Sequence, residues 1–159
     1  MPIAHAPGPG HSNLRKGRSS HPGQIYSLTW ATRKRAPVFR DLQAARQLIQ
    51  CLKYADSAEW SRTLAFAVMP DHVHWLVELG NAKDLDALVM SVKSYSARAL
   101  RSTGSISGPL WQPGFFDRAA RHDDDLVAIS RYIVANPLRA GLVEDIGHYP
   151  HWDAVWLTD

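Results

Sequence analysis

The chain has 159 residues, a formal net charge of +3 and one cysteine, Cys51. This length fits a single domain, and the 45% of hydrophobic and 21% of charged residues are typical of a globular protein. One thiol excludes an intramolecular disulfide and a cysteine-based zinc site, and no segment approaches the roughly 20 apolar residues that span a bilayer. We therefore expect a soluble, cytoplasmic protein.

The first part of the chain is basic. Residues 1–40 hold seven of the 18 Lys and Arg and no Asp or Glu. Residues 1–22, rich in Pro, Gly, Ser and His, predict a flexible basic arm, and residues 23–159 predict one domain. This charge distribution favours a polyanionic partner, although a solvated tail would have the same composition. Candidate DNA-binding residues in the arm are Arg15, Lys16 and Arg18.

The first half of the domain predicts the order β-α-β-β. Residues 24–32 (QIYSLTWAT) form a β-rich run that predicts the first strand. Apolar residues at helical spacing predict a helix from residue 38 to about residue 56. Two apolar runs, RTLAFAVMP (62–70) and DHVHWLVELG (71–80), predict a hairpin of two strands around Met-Pro-Asp.

The second half begins with a predicted helix that starts at Asp84 and ends at the STGSISG loop. Residues 110–121 predict a further strand or hairpin, and residues 124–136 predict a last helix, which a following proline ends. The aromatic tail (148–157) is expected to pack onto the body. The full order, β-α-β-β-α-β-α, predicts an α+β fold, a ferredoxin-like antiparallel sheet with helices packed on one face.

The sharpest local pattern is His72-Val73-His74, in the second strand of the hairpin. Side chains alternate along a strand, so both imidazoles point to one face and Val73 points into the core. Two neutral imidazoles can bind a divalent metal and leave positions open for water or substrate. By itself, however, such a triplet is more often a pair of surface histidines.

A second pattern lies on the last helix, where Tyr132 and Asn136 are four residues apart and share one face. A tyrosine beside an amide could be a nucleophile next to a metal or phosphate ligand. A phenol is a weak nucleophile at neutral pH, but a metal on the phosphate would support attack and formation of a phosphotyrosine bond. The simpler interpretation is that Tyr132 packs at the core edge and Asn136 caps the helix.

Several segments together resemble the REP-associated tyrosine transposases, a branch of the single-tyrosine HUH transposases (IS200-like transposases). The HUH segment of that family, Met-Pro-(Asn/Asp)-His-Val-His, is similar to AFAVMPDHVHWLVELG. The closing segment of the branch, which ends in Tyr-Ile-x-x-Asn-Pro-x-(Arg/Lys)-x-Gly-Leu-Val, is similar to LWQPGFFDRAARHDDDLVAISRYIVANPLRAGLV. The resemblance covers roughly residues 14–143. One departure is Asp71, which stands where Asn is commoner.

The resemblance implies an HUH endonuclease fold and DNA strand cleavage. His72, His74 and Asn136 would be the metal ligands, for Mg²⁺ or Mn²⁺. Tyr132 would be the catalytic nucleophile that forms a 5′-phosphotyrosine intermediate. The substrate would be single-stranded DNA with hairpins from palindromic extragenic repeats, cut for transposition or repeat maintenance. The branch resembles monomers, whereas better-known relatives in the wider family act as dimers.

Further basic residues are candidates for DNA contacts. They are Lys93 and Arg98 on the middle helix, and Arg118 and Arg121 after the Phe-Phe-Asp strand. Each could bind a phosphate, and each could equally be ordinary surface charge. Sequence patterns alone do not separate these two roles.

Three other functions remain open at this point. A domesticated protein could bind repeat hairpins without cutting, although such a binder need not keep the histidines, the tyrosine and the asparagine together. A ferredoxin-like RNA-binding module would need exposed aromatic residues on its central strands. A small metallohydrolase that activates water would make Tyr132 dispensable.

Overall fold

The computed structural model describes residues 20–121 and 124–155. In this part of the chain the strands are β1 (Ile25–Ala31), β2 (Ser61–Met69), β3 (His72–Leu79), β4 (Phe116–Ala119) and β5 (Trp152–Ala154). They form one antiparallel sheet in the order β4-β1-β3-β2-β5. The long strands β1, β3 and β2 therefore lie in the centre, and the short β4 and β5 form the edges.

The helices are α1 (Leu42–Ser57), α2 (Leu85–Ser102), α3 (Leu126–Val134) and the short α4 (Asn136–Arg139), with 3-10 turns at Arg33–Arg35, Val38–Arg40 and Ile146–His148. An aspartate precedes each of α1, α2 and α3, and its side chain accepts a hydrogen bond from a backbone N–H of the first turn. These N-caps are Asp41, Asp84 and Asp125. None of the helices in the described ranges has the length and apolar character of a membrane span.

Both faces of the sheet are covered. Trp75 and Val77 of β3 belong to a large core with α1 and α2, whereas Leu76, between them, packs with Ile133 of α3. The antiparallel α+β fold is therefore confirmed, but the prediction that the helices share one face is wrong. The central strands β2 and β3 are buried along almost their whole length, and a strand without a polar face needs cover on both sides.

The aromatic tail contributes an edge strand that the sequence did not indicate. Strand β5 pairs with β2, with Trp152 opposite Ala67. The hydroxyl of Tyr149 donates a hydrogen bond to the carbonyl of Val68 at 2.7 Å, which ties the tail to the same strand. Three residues are too few to show the period of two by which strands are predicted.

The first part of the chain differs from the sequence predictions at the start of α1, and part of it lies outside the described residues. Helix α1 begins at Leu42, later than predicted, because Val38–Arg40 forms a 3-10 turn before the N-cap. The predicted DNA-binding residues Arg15, Lys16 and Arg18 lie outside the described residues. The boundary between arm and domain at residue 22 therefore stays a prediction.

Lys93 fixes the segment that leads from α2 to β4. Its ammonium donates hydrogen bonds to the carbonyl oxygens of Gln112 at 3.1 Å and Gly114 at 2.6 Å. Burial lowers the pKa of Lys93 to about 8. The ammonium of Lys93 thus binds carbonyl groups of its own chain, a structural role that the sequence did not indicate. Its contact with DNA stays a prediction.

We expect Lys93→Met to lower the free energy of unfolding by about 1–3 kcal/mol, because two carbonyl groups lose a hydrogen bond from a charged donor. Urea denaturation followed by tryptophan fluorescence measures this change. The control is Lys53→Met at an exposed position of α1, which should stay within about 0.5 kcal/mol of the native protein. Equal stability of the two variants would contradict the structural role of Lys93.

Candidate active site

The two histidines lie side by side on β3, the middle strand of the sheet. His72 is 6% exposed and His74 is 2% exposed. They occupy the sheet face that α3 covers, and Val73 between them is buried in the core on the opposite face. The alternation predicted from the sequence therefore holds for this triplet.

The ring nitrogens of the pair are arranged so that the Nε2 atoms face each other, 3.1 Å apart. On the outer side, Nδ1 of His72 lies 2.7 Å from Oδ1 of Asp71, and Nδ1 of His74 lies 3.1 Å from Oγ1 of Thr29. When both Nδ1 atoms donate to these oxygens, both Nε2 atoms carry lone pairs that point at one another. Such an arrangement is repulsive unless a proton or a metal cation lies between them.

Both histidines favour the neutral form. Burial lowers the pKa of His72, although the hydrogen bond and charge of Asp71 partly oppose this effect. Burial lowers the pKa of His74 to about 3, and the nearby charges of His72, Arg139 and Arg35 contribute further. The neutral imidazole is the form in which histidine binds metals. Both histidines therefore have the protonation state of a metal ligand at physiological pH.

Asp71 connects the histidine pair to the segment after β1. Its Oδ2 accepts a hydrogen bond from Nε of Arg35 at 3.0 Å, while Oδ1 holds His72. Burial alone would raise the pKa of Asp71, but the hydrogen bonds and positive charges of His72 and Arg35 bring it below the usual value. The backbone N–H of Thr32 also donates to the carbonyl of Asp71 at 2.9 Å. A carboxylate at this position therefore serves two partners at once.

Helix α3 carries the predicted nucleophile onto the histidine face. Ile133, 3% exposed, packs in the core that includes Ala67 and Leu76 from that face. Tyr132, its neighbour on α3, is half-buried. The tyrosine helix thus packs on the sheet of its own chain.

Asn136 lies just past a break in the predicted helix. Helix α3 ends at Val134, Ala135 forms its C-cap, and Asn136 begins α4, so Tyr132 and Asn136 are on consecutive helices rather than on one. The side chain of Asn136 is fully buried. Its Nδ2 donates to the carbonyl of Ile133 at 2.8 Å, and its Oδ1 has no hydrogen-bond partner in the described part of the protein. A buried amide oxygen without a partner is costly, and a bound cation would satisfy it.

Sequence reasoning missed Arg139 and Arg35. The guanidinium carbon of Arg139 lies 3.6 Å from the ring centroid of Tyr132, and the charge of Arg139 also acts on His74. The only sequence signal was the Arg/Lys position in the closing motif, to which no role was attached. Arg35 had no signal beyond its charge, because its partner Asp71 is 36 residues away.

The donors present fit a divalent cation with nitrogen and oxygen ligands. The 3.1 Å between the two Nε2 atoms is close to the roughly 3.0 Å that separates neighbouring positions of an octahedral shell with ligands at about 2.1 Å. Within residues 20–121 and 124–155, no three His, Cys, Asp or Glu side chains form a potential metal-binding group. A metal held by the two imidazoles would therefore need a further ligand of another type, and the buried amide oxygen of Asn136 is the ligand that the family resemblance predicts.

The predicted DNA-binding residues of the folded part are spread over both sides of the sheet. Arg98 is exposed on α2, on the side away from the histidines, with its guanidinium 5.6 Å from the ring of Tyr95. Arg118 of β4 pairs in register with Ser27 and forms an ion pair with Asp124 at 3.3 Å. Arg121 is exposed beyond β4. No observation assigns DNA contacts to these residues, so those roles stay predictions.

The chain is similar to a family model and to a protein of known family. A family model described as "Transposase IS200 like" matches residues 20–136, a range that includes both histidines, Tyr132 and Asn136. A protein of Haemophilus influenzae assigned as a REP-associated tyrosine transposase is 31% identical over 100 residues. This match spans 56% of the present chain and 56% of the relative's length.

Two solved structures share the fold. A REP-associated tyrosine transposase bound to a REP hairpin matches with a TM-score of 0.70 and 22% identity, over 85% of this chain and 79% of that one. A protein of Deinococcus radiodurans assigned as a transposase matches with a TM-score of 0.54 and 28% identity, over 74% of this chain and 93% of that one. These matches confirm the resemblance drawn from the sequence. Because the family model covers well over half of its residues, this chain belongs to the family of IS200-like transposases.

Proposed function

We propose that this protein is a metal-dependent transposase that cuts single-stranded DNA at hairpins of palindromic repeats, through a covalent 5′-phosphotyrosine on Tyr132. The observation that carries the proposal is the packing of the tyrosine helix α3 on the sheet face where the imidazoles of His72 and His74 converge. Two relatives support the choice of substrate. The similar solved structure is bound to a REP hairpin, and the similar H. influenzae protein bears the REP-associated name.

The covalent step belongs to Tyr132. Its Oη attacks the scissile phosphorus, so that an Oη–P bond forms while the bond from phosphorus to the 3′ oxygen breaks. The phenol gives up its proton and the leaving 3′ oxygen takes one up, which yields the 5′-phosphotyrosine and a free 3′-OH. Attack by a second 3′-OH reverses the step and joins a new strand, so no external energy source is needed.

The remaining residues prepare the site for that attack. Held by His72, His74 and Asn136, Mg²⁺ or Mn²⁺ would neutralise charge on the scissile phosphate. Asp71 and Thr29 hold the outer nitrogens of the imidazoles, so each Nε2 keeps its direction. The closely packed core below β3 gives these ligands a rigid support.

Packing of the tyrosine helix within one chain supports a monomer. Helix α3 contacts β2, β3 and β5 of its own sheet, and α4 contacts β2. The nucleophile therefore needs no exchange of helices between two chains to come near the histidines. We propose on this ground that the protein acts as a monomer.

The single-stranded DNA would approach the histidines over the basic segment that follows β1. Arg33, Lys34 and Arg40 are exposed on this segment. Its backbone is tied to the β2–β3 turn beside His72, since the N–H of Phe39 donates to the carbonyl of Pro70 at 2.9 Å. Three exposed cations on a segment tied to the turn before His72 favour a phosphate backbone as the ligand.

The structure disfavours the alternative of an RNA-binding ferredoxin-like module. Such modules stack bases on exposed aromatic residues of their central strands. Here the aromatic side chains Trp30 and Trp75 of the central strands β1 and β3 are fully buried. Two buried imidazoles lie on the opposite face instead.

We expect the native protein, incubated with Mn²⁺ or Mg²⁺ and a labelled hairpin oligonucleotide, to form a covalent protein–DNA adduct that denaturing electrophoresis detects. Tyr132→Phe should form no adduct, because it lacks the attacking oxygen. Tyr95→Phe, at an exposed tyrosine on the other side of the sheet, is the control and should react like the native protein. DNA binding without an adduct in any of these proteins would favour a domesticated binder. Cutting that survives in Tyr132→Phe would favour water as the nucleophile.

We expect Asp71→Asn to weaken Mn²⁺ binding by roughly tenfold, because asparagine keeps an acceptor for Nδ1 of His72 but loses the carboxylate charge that makes the imidazole a better ligand. Isothermal titration calorimetry without DNA measures the affinity directly. The control is Glu78→Gln, which removes a carboxylate of β3 that pairs with Arg62 of β2. This variant should bind Mn²⁺ with native affinity. An unchanged affinity in Asp71→Asn would show that the carboxylate does not tune the metal ligand.

We expect Lys34→Gln to reduce the dependence of DNA binding on salt. For single-stranded DNA, removal of one lysine–phosphate interaction should lower the slope of log affinity against log salt by about 0.7. Fluorescence anisotropy at several salt concentrations gives the slope, and Lys53→Gln on α1 is the control. If both variants keep the native slope, Lys34 does not bind a phosphate.

A further inference from the structure

Arg139 contacts Tyr132 in two ways. Its guanidinium carbon lies 3.6 Å from the centroid of the phenol ring, which is the geometry of a cation–π contact. Its Nη2 also donates a hydrogen bond of 2.6 Å to the backbone carbonyl of Tyr132. One side chain therefore contacts both the ring and the main chain of the proposed nucleophile.

The local sequence explains this double contact. Helix α3 ends at Val134 and, after Ala135, the chain continues in the short helix α4, which has a proline in its first turn and Arg139 as its last residue. Arg139 follows Tyr132 by seven residues across this break, and its long side chain extends back to the ring and the carbonyl of Tyr132. The carbonyl of Tyr132 belongs to the last turn of α3, where carbonyl groups need partners and positive charge is favourable.

The same guanidinium also acts on the proposed metal site. The positive charge of Arg139 is one of the causes that lower the pKa of His74. Arg139 thus lies near enough to both the nucleophile and a metal ligand to influence each.

We infer that Arg139 is the positioning residue of the nucleophile. The guanidinium over the ring restricts the phenol to one orientation, and its charge offsets the negative charge that forms on Oη as the phenol loses its proton for attack. It offsets the same charge when Oη leaves in the reverse step, and it exchanges no proton. This inference rests on the proposed function, since it assigns Arg139 a role in the reaction of Tyr132.

Two substitutions separate the parts of this role. Arg139→Gln removes both the charge and the guanidinium over the ring, and it should slow adduct formation in single-turnover experiments by roughly 10- to 100-fold, because misplaced nucleophiles lose rates of this order. Arg139→Lys keeps the charge but not the planar guanidinium, so it should recover part of the rate. Affinity for the hairpin oligonucleotide should be native in both variants. Arg101→Gln, an exposed arginine at the end of α2, is the control for loss of charge.

A second readout follows the ring without any reaction. In protein labelled with 3-fluorotyrosine, the ¹⁹F resonance that disappears in Tyr132→Phe belongs to Tyr132. This resonance should shift or broaden in Arg139→Gln and stay in place in Arg101→Gln, because only the first variant removes the cation from the ring face.

Several results would overturn the inference. Arg139→Gln could form the adduct at the native rate or faster, or it could lose thermal stability and DNA affinity in proportion to its rate, as a purely structural cap would. An unchanged ¹⁹F resonance would also contradict it. If the native protein forms no adduct, the proposed function fails and the inference fails with it. If native and Arg139→Gln proteins react equally, the inference alone fails.

Discussion

The approach of two imidazoles on one strand is the constraint on which the rest of the site depends. Two bulky rings two residues apart need room on the sheet face, and the register supplies it. Thr29 and Ala67 flank His74, while Ala31 and the larger Met69 flank His72, so three of the four neighbours are small. These small neighbours let the rings meet at 3.1 Å, while the larger residues of the same strands fill the opposite core. The sheet therefore separates the face with the large core from the face that carries the histidine pair and the smaller core.

This separation also explains why the sequence predicted part of the site but not all of it. The alternation of a strand made the histidine pair a candidate and helical spacing did so for Tyr132 and Asn136, but only the family resemblance gave them roles. Thr29 and Arg35 contact the site, and β5 joins the edge of the sheet, through pairing of distant segments, which leaves no periodic signal. Lys93 looked like a surface charge because a basic residue on a helix is usually solvated. Its carbonyl partners lie 19 and 21 residues away.

The sequence did not predict helices on both faces of the sheet for a related reason. An apolar run such as AFAVM predicts a buried strand, but it does not say what buries each side. Here α1 and α2 cover one side with a large core, and the nine-residue α3 covers the other. A short helix at the edge of a smaller core can be ordered by a few contacts, such as those of Arg139. These contacts do not involve the packing of the large core. The proposed nucleophile Tyr132 is thus on an element that is less deeply embedded than the strand that carries the histidines.

The charges around the site show how a metal and a phosphate would depend on each other. Arg35 and Arg139 both act on His74, so the two imidazoles meet a positive field that opposes a bare cation. Asp71 offsets one of these charges through its ion pair with Arg35. A phosphate brought by the DNA strand would add negative charge at the same place, and it would favour the cation and interact with the arginines together. Because such coupling is reciprocal, a cation bound at the histidines would in turn favour the strand whose phosphate is to be cut.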